Sequence, residues 1–325
     1  MSSQARFPIT VLVSILTLAV AASSLAQDYP TRPVRIVTGN PGTTADLLTR
    51  YLAKQLTERW GHQVIVENRG GGGGVISAEY TARALPDGYT LHMAQLASLA
   101  AAPNLHKKLS YDPLKDLAPV TLFAKTPLLI VVHPSMPVST LRELIDFAKQ
   151  RPDALSYASA GPGTGGHLTT ALFGYVAGIR MVHISYRGTG AAVTAIISGE
   201  TSVSSISLPS ALPQVQAGKL RALAITSGKR FSGVPHIPTA YEAGVQGFES
   251  TTWFGMVVPG STPPELIARL NRDIVAVLEA PATQAWIIAR GADPSPGAPA
   301  EFAAFIKSEI LKWGPVIKAA GIGIQ

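Results

Sequence analysis

Hydrophobic and polar positions along the chain follow two alternating patterns, one typical of short β-strands and one of amphipathic helices. Residues 34–38 (VRIVT) form a β-branched run, and residues 47–60 carry apolar side chains at Leu48, Leu52 and Leu56. The first pattern predicts a strand and the second a helix. The same order of strand, small-residue loop and helix recurs along most of the chain. This alternation is typical of an α/β fold with mainly parallel sheets.

The pattern defines a set of predicted elements that alternate until the last quarter of the chain, which is mainly helical. The predicted strands span residues 34–38, 64–67, 90–93, 117–124, 128–133, 155–159, 181–186, 201–207, 220–226 and 253–258. The predicted helices span residues 47–60, 76–84, 140–149, 168–176, 191–198, 239–244, 266–278, 281–290 and 299–313. The short segment 124–127 between two predicted strands is a candidate crossing between lobes, and the strand at 253–258 is a candidate return crossing.

Two loops rich in glycine and threonine each connect a predicted strand to a predicted helix. The first is residues 38–46 (TGNPGTTAD), and the second is residues 159–167 (SAGPGTGGH). A helix start leaves backbone N–H groups without partners and carries the positive end of the helix dipole, so each loop is a candidate carboxylate or phosphate site. An ordinary capped turn that binds nothing is the alternative for either loop alone.

Two further glycine patterns have more than one interpretation. The five consecutive glycines at 70–74 indicate either a close backbone approach or a flexible connector. Gly161, Gly163 and Gly166 formally match the dinucleotide fingerprint, but the acidic residue expected about 20 positions later is missing. The sequence therefore gives little support for a nucleotide cofactor.

The N-terminus has the features of a secretory signal. Arg6 is followed by an apolar run at residues 9–25, and residues 24–26 (SLA) form a small-x-small cleavage pattern, so we predict that residues 1–26 are removed by cleavage after Ala26. An uncleaved anchor is the alternative, but the run is short and polar residues follow it at once. The chain has no cysteine, which excludes a lipoprotein and favours the periplasm over a disulfide-rich niche.

The charge and the chemistry-bearing residues narrow the function classes. The net charge is +7, but Lys and Arg are scattered rather than clustered, which disfavours nucleic-acid binding. A positive charge excess is still compatible with small anionic ligands. There is no cysteine nucleophile, no Gly-x-Ser-x-Gly motif and no His pair at helical spacing, so we expect neither metal nor cofactor. A dispersed Ser-His-Asp triad around His167 or His183 stays open, because triads are defined by geometry.

Short motifs distributed over the whole mature chain carry a resemblance to a known family. They are residues 29–34 (YPTRPV), 41–46 with Arg50, 67–69 (ENR), 85–91 (LPDGYTL), 183–188, 208–213 (LPSALP), 218–224 (GKLRALA), 235–239, 242–244 (EAG), 253–255 (WFG) and 301–302. In this order they resemble the Bug-type receptors, the extracytoplasmic solute-binding components of tripartite tricarboxylate transporters. Each motif is short, and their order makes the likeness specific.

The resemblance implies a two-lobed α/β periplasmic-binding-protein fold, a Venus flytrap with two interdomain crossings and a ligand cleft between the lobes. By it, residues 27–123 plus 252–325 form lobe 1 and residues 124–251 form lobe 2. It further implies a small carboxylate ligand, held largely by loop amides and ordered water, and the membrane subunits of a tripartite transporter as partners. We expect a monomer without catalytic residues.

The candidate ligand-binding residues come from both loops and from two nearby segments. They are Asn40, Gly42, Thr43, Thr44, Asp46, Ser98, Ser159, Ala160, Gly163, Thr164, His167 and Tyr186. Asp46 is a candidate cap or water ligand rather than a direct anion contact, and a packing role competes with ligand contact for His167.

The chain departs from the family pattern at three places. Thr43 stands where a second glycine is frequent, and the run at 70–74 replaces a more common Pro-Gly-Ala-Gly-Gly. The acidic residues usual before Leu208 are absent, since residues 202–207 read SVSSIS. Loss of these carboxylates argues against an amine-bearing ligand such as an acidic amino acid. A sensor for a signalling partner and an exported hydrolase are the alternative functions.

Overall fold

The computed structural model describes residues 29–322. The predicted signal segment and its cleavage site lie outside the described residues. No helix in the described range combines the length and the apolar composition needed to cross a membrane.

Strands and helices alternate from residue 34 to residue 225, as the hydrophobic pattern predicts. The strands are β1 (Val34–Thr38), β2 (Val64–Asn68), β3 (Thr90–Gln95), β4 (Leu117–Val132), β5 (Ser156–Ser159), β6 (Val182–Ser185), β7 (Val203–Ser207), β8 (Arg221–Ile225), β9 (Thr251–Pro259) and β10 (Asp293–Pro294). The helices are α1 (Thr44–Trp60), α2 (Val75–Ala82), α3 (Ala102–Leu105), α4 (Leu141–Gln150), α5 (Gly165–Ala177), α6 (Thr189–Ile197), α7 (Leu208–Gln216), α8 (Pro264–Glu279), α9 (Pro281–Ile288) and α10 (Pro299–Ala319). A turn of 3-10 helix (Gly72–Gly74) precedes α2, and a turn of π-helix (Ala97–Ala101) precedes α3.

The strands form one continuous, mixed sheet in the order β2-β1-β3-β9-β4-β7-β5-β6, with β8 and β10 also paired to β4. β1 pairs in parallel with β2 and β3, and β5 pairs in parallel with β6 and β7. These two parallel groups lie on opposite sides of the antiparallel strands β4 and β9. Each group carries its own strand–loop–helix units, so the molecule has two α/β lobes joined by β4 and β9.

Three hydrophobic clusters stabilise this arrangement. One is centred on β1, α1 and α8, and includes the buried side chains Ile36, Leu52 and Ile274. A second packs α7 and β8 against the far half of β4. The largest cluster extends from the π-turn through β4 and α5 to α10, where Trp253 and Trp313 are fully buried. Because α10 packs on elements of both lobes, it is a third connection between them.

Three expectations about the elements are wrong. The two strands predicted at 117–124 and 128–133 are the single strand β4. Pro127 does not break it, because Pro127 is the last residue paired with β9 and Leu128 is the first paired with β7, so the ladder changes partner there.

The return crossing is β9, as expected. The exact lobe boundaries stay predictions.

The other two differences concern local capping and proline. The helix predicted at 239–244 is only a turn, in which Thr239 and Glu242 cap each other and Gly244, at φ 92°, ends it. α7 has no counterpart among the predicted helices, and its sequence contains Pro209 and Pro213. Pro209 lies in the first turn, where the missing N–H costs no hydrogen bond. At the start of α4 the Thr140 hydroxyl accepts a hydrogen bond from the N–H of Glu143 (3.2 Å), and the Glu143 carboxylate accepts one from the N–H of Ser139 (2.6 Å).

Candidate functional site

A cavity of about 220 Å³ lies between the two lobes, at the carboxyl ends of their parallel strands. Its first wall is formed by Gly39, Asn40, Thr43, Thr44, Ala45, Gly71, Gly73, Gly74, Gln95, Leu96 and Ala97. Its second wall is formed by Ser159, Ala160, Thr164, Gly165, Gly166, Gly188, Thr189, Ala192, Ser204, Ser205, Ile206 and Ser207. Thr126, Leu128, Thr252 and Phe254 of the crossing strands line the region between them. Both predicted loops therefore face one shared space.

Helix N-termini surround this cavity. The N-cap residues of α1, α2, α5, α6 and α7 all lie in its wall; they are Thr43, Gly74, Thr164, Gly188 and Ser207. The first turn of each helix leaves backbone N–H groups without an intrahelical partner, and the helix dipole places roughly +0.5 elementary charge there. None of the described residues in the wall has a charged side chain. The cavity therefore attracts an anion through backbone dipoles alone.

The second loop approaches its surroundings too closely for side chains. A Cβ atom at Gly166 would lie 2.6 Å from the carbonyl oxygen of Ser205, and one at Gly163 would lie 2.5 Å from Cδ1 of Leu105. Leu105 belongs to α3 on the opposite lobe, so the second contact crosses the cleft. Gly163 also has φ 73°, a conformation that favours glycine.

Within the first loop, Thr43 caps α1. Its hydroxyl accepts a hydrogen bond from the N–H of Asp46 (3.3 Å) and donates one to the carbonyl of Asn40 (2.9 Å). Gly42, at φ 75°, makes the turn before it. The cap fixes the helix start and leaves the amides of Thr44 and Ala45 at the cavity wall.

Asp46 holds this loop from behind. Its carboxylate accepts hydrogen bonds from the N–H of Gly42 (2.9 Å), from Nε of Arg50 (3.1 Å) and from Nδ2 of Asn68 (2.8 Å). Nδ2 of Asn68 also donates to the carbonyl of Gly39 (3.0 Å). Burial alone would raise the pKa of Asp46, but these hydrogen bonds outweigh it and lower the pKa below the ordinary value. Asp46 is thus an ionised support for the loop.

The second loop is held by neutral groups. The Ser159 hydroxyl accepts from the N–H of Gly161 (3.1 Å) and lies 2.7 Å from Nε2 of His183. The Thr164 hydroxyl donates to the carbonyl of Gly161 (2.7 Å). The N–H of Gly163 donates to Nδ1 of His167 (3.1 Å). This last bond requires an unprotonated Nδ1, so His167 supports the loop as a neutral ring.

His167 belongs to a stack of rings under the loop. Its ring centroid lies 3.8 Å from that of His183, and the Tyr157 ring stacks 4.9 Å from His183 on the same cluster. Burial, together with the neighbouring His183, lowers the pKa of His167 to about 3. Burial also lowers the pKa of His183. Both histidines are therefore neutral near pH 7.

The structure brings six of the twelve candidate residues into the cavity wall: Asn40, Thr43, Thr44, Ser159, Ala160 and Thr164. Gly42, Asp46, Gly163 and His167 support the two loops from behind. Ser98 is fully buried and bonded to Gln95, while the Tyr186 hydroxyl donates to Glu200 (2.9 Å) at the surface. The binding role of all twelve stays a prediction.

Sequence reasoning missed most of the wall outside the two loops. The five-glycine run had two open interpretations, and the structure places Gly71, Gly73 and Gly74 against the cavity, which is the close-approach interpretation. The serines of β7, which line the second wall, entered the sequence analysis only because acidic residues are usual at these positions in the family. Thr126 and Thr252 were not candidates, because nothing in a strand sequence tells which face meets a cleft.

Two α/β lobes that are joined by crossing strands and enclose a cavity between them have the architecture of a two-lobed solute-binding protein. The sequence profile described as "Tripartite tricarboxylate transporter family receptor" (TctC) matches residues 48–322. The chain belongs to this family of periplasmic receptors, which includes the Bug proteins.

Individual relatives agree with this assignment over nearly the full length. The chain is 35% identical to protein BugT of Bordetella pertussis over 315 residues, covering 96% of this chain and 97% of that protein. Its fold matches the R. palustris protein Rpa4515, solved with adipate, with a TM-score of 0.84 and 35% identity over 91% of this chain and 99% of that one. It also matches MatC from Rhodopseudomonas palustris, solved with malate, with a TM-score of 0.80 and 30% identity. This match covers 89% of this chain and 100% of MatC.

Proposed function

We propose that this receptor captures a small carboxylate between the loops at 38–46 and 159–167 and delivers it to the membrane subunits of a tripartite transporter. The observation that carries the proposal is the convergence of five helix N-termini on a cavity without charged side chains. Such a site stabilises a carboxylate by hydrogen bonds from oriented backbone amides.

The size and lining of the cavity support a short aliphatic ligand body. Its volume of about 220 Å³ is below the roughly 300–1,000 Å³ of pockets for drug-sized ligands. Leu96, Leu128, Ile206 and Phe254 add apolar groups to the otherwise mostly polar or small-residue wall. The similar R. palustris proteins were solved with adipate and malate, which are carboxylates of this size class.

A thermal-shift screen of mono-, di- and tricarboxylates and aromatic acids tests the ligand class. A ligand that binds only the folded state stabilises it by RT ln(1 + [L]/Kd) and so raises the unfolding temperature. We expect at least one carboxylate to raise it and the corresponding neutral amide to have no effect. A screen in which amides stabilise the protein as well as acids do would contradict the proposal.

The missing acidic residues on the second wall predict discrimination against amines. An ammonium group would enter a site whose described wall contains no carboxylate and whose helix dipoles repel a cation. We therefore expect succinate or glutarate to bind much more tightly than aspartate or glutamate. Tight, saturable binding of either amino acid in calorimetry would overturn this expectation.

One observation favours a second candidate, the exported hydrolase. The Ser159 hydroxyl lies 2.7 Å from Nε2 of His183 beside the amides of α5, as in a Ser-His pair next to an oxyanion site. The same hydroxyl is engaged with both the N–H and the carbonyl of Gly161, however, which is a loop-fixing role. Turnover of a generic ester that is lost in His183→Ala would favour hydrolysis; absence of turnover in the wild type favours the receptor.

A sensor would bind the same ligand and pass it to a signalling partner. The cavity is the same in both cases, so the two functions differ only in the partner. Ligand-dependent binding of the purified receptor to membrane subunits encoded beside its gene would support transport, and uptake that is unchanged when the receptor gene is deleted would oppose it.

A further inference from the structure

Thr126, on the crossing strand β4, has a polar group without a partner. Its side chain is 1% exposed, and its Oγ1 makes no hydrogen bond to the described part of the chain. Buried hydroxyls are nearly always hydrogen-bonded, so such an atom needs an explanation. Thr126 also belongs to the cavity wall, which distinguishes it from the similarly unpartnered Thr201.

The two faces of the crossing strands show where the Thr126 side chain points. Lys125 places its ammonium 4.6 Å from the ring of Phe305 on α10, and its register partner Trp253 packs on the same helix. Side chains alternate between the faces of a strand. Thr126 and its partner Thr252 therefore face away from α10, into the cavity.

The surroundings of Thr126 define the group that fits there. Leu128 and Phe254, two positions further along their strands on the same face, line the cavity beside it. Thr126 lies inside a strand, whereas the anion-binding amides lie at helix starts. The Thr126 hydroxyl is a single neutral group that can both donate to and accept from a hydroxyl of the ligand, whereas an ionised carboxylate could only accept from it.

We propose that Thr126 is a specificity-determining contact that binds a hydroxyl group on the carbon chain of the carboxylate ligand. This inference rests on the proposed carboxylate-binding function. By this inference, the carboxylate and the hydroxyl of the ligand are bound by different parts of the cleft. The loop amides hold the carboxylate, and the crossing strand selects the substituted over the unsubstituted acid.

Calorimetric titration with matched pairs of acids tests the contact. The pairs are succinate and malate, glutarate and 3-hydroxyglutarate, and adipate and 3-hydroxyadipate. We expect the wild type to prefer the hydroxylated member of at least one pair by about tenfold, the typical effect of one buried hydrogen bond. In Thr126→Val, which keeps the shape and removes the hydroxyl, this affinity ratio should fall towards one.

Thr201→Val is the matched control. Thr201 is also 1% exposed with an unpartnered hydroxyl, but it does not line the cavity. Both substitutions remove a buried hydroxyl that has no partner among residues 29–322, so both variants should fold, which thermal unfolding checks. Only Thr126→Val should change the affinity ratio.

The outcomes separate this inference from the proposed function. If the wild type binds acids but prefers no hydroxylated member, or if Thr126→Val keeps the preference, the contact is refuted while carboxylate binding stands. If Thr201→Val lowers the ratio as much as Thr126→Val does, the effect is not local and the contact is refuted. If the wild type binds none of the acids, the proposed function fails, and the contact fails with it.

Discussion

The two loops that face the cleft have nearly the same backbone plan and quite different supports. Each connects a parallel strand to a helix through a positive-φ glycine, Gly42 or Gly163, and a threonine at the N-cap position, Thr43 or Thr164. Behind the first loop lies an ionised carboxylate, Asp46, with its Arg50 and Asn68 partners. Behind the second lies a stack of neutral rings.

The difference shows how a cavity without charged side chains can be built. Three donors hydrogen-bond the carboxylate of Asp46, which is not part of the cavity wall. Asp46 therefore organises the first loop without placing a negative charge at the cavity. The histidine stack fixes the second loop without any charge. The two halves should therefore respond differently to substitution and to pH, which gives three ways to test the comparison.

The largest effect is expected from Gly163→Val and Gly42→Val. A β-branched residue at positive φ is strained by roughly 1–2 kcal/mol, and at Gly163 the new side chain also collides with Leu105 across the cleft. We expect affinity to fall more than 100-fold in Gly163→Val and less in Gly42→Val, where nothing lies within 4 Å of the added Cβ.

Gly178→Val is the control for these variants, because Gly178 has φ 63° and open space but ends α5 far along the chain from the loop. Its stability should fall while its affinity, measured by calorimetry, stays unchanged. Unchanged affinity in both loop variants would count against the proposed site.

A second, smaller effect is expected from Asp46→Asn. The amide keeps the size of the side chain but loses charge-assisted hydrogen bonds to Arg50 and to the loop, so we expect about 2 kcal/mol lower stability and about tenfold weaker binding. Asp146→Asn removes the acid of an exposed i,i+4 pair with Arg142 and should change little. Equal effects of the two substitutions in thermal unfolding would show that Asp46 is an ordinary surface acid.

The smallest effect concerns pH, and it separates the two loops. The folded-state pKa of His167 is depressed to about 3, so between that value and the ordinary 6.5 the unfolded state binds the proton and stability falls as pH falls. At about pH 5.5 this amounts to about 1.4 kcal/mol for one such histidine. The lowered pKa of Asp46 acts only below its ordinary value of 3.8, so the first loop should be unaffected there.

Comparing His167→Asn with His92→Asn isolates the loop. His92 is a fully buried residue of β3, and burial lowers its pKa to about 4, so either variant should flatten the dependence of the unfolding free energy on pH. Only His167→Asn should also weaken ligand binding, because only His167 accepts from the loop amide. An identical pH dependence in the wild type and in both variants would contradict the buried, neutral state of these rings.

Local sequence patterns predicted the parts of the fold that depend on neighbours in the chain. The strand at Val34–Thr38 and the helix after it follow from the periodicity of their apolar residues. The continuation of β4 through Pro127 and the helix α7, which contains Pro209 and Pro213, were not predicted. In each case tertiary pairing or position within the helix decides whether a missing N–H costs anything.

The site was predictable where it depends on loop chemistry and unpredictable where it depends on sheet geometry. Glycine and threonine at a strand–helix junction identify Thr43, Thr44 and Thr164 directly. Nothing local shows that Thr126 and Thr252 face the cleft, since that follows from α10 covering the opposite face of β4 and β9. Nor does one sequence show that Tyr186 bonds to Glu200 at the surface.

The central claim is that backbone amides of both loops bind one carboxylate together. Amide chemical shifts of the ¹⁵N-labelled protein, followed while an acid found in the screen is titrated in, test it most directly. We predict large shifts at Thr44 and Ala45 in the first loop and at Gly165 and Gly166 in the second, all with the same midpoint. Shifts confined to one loop, or two different midpoints, would contradict it.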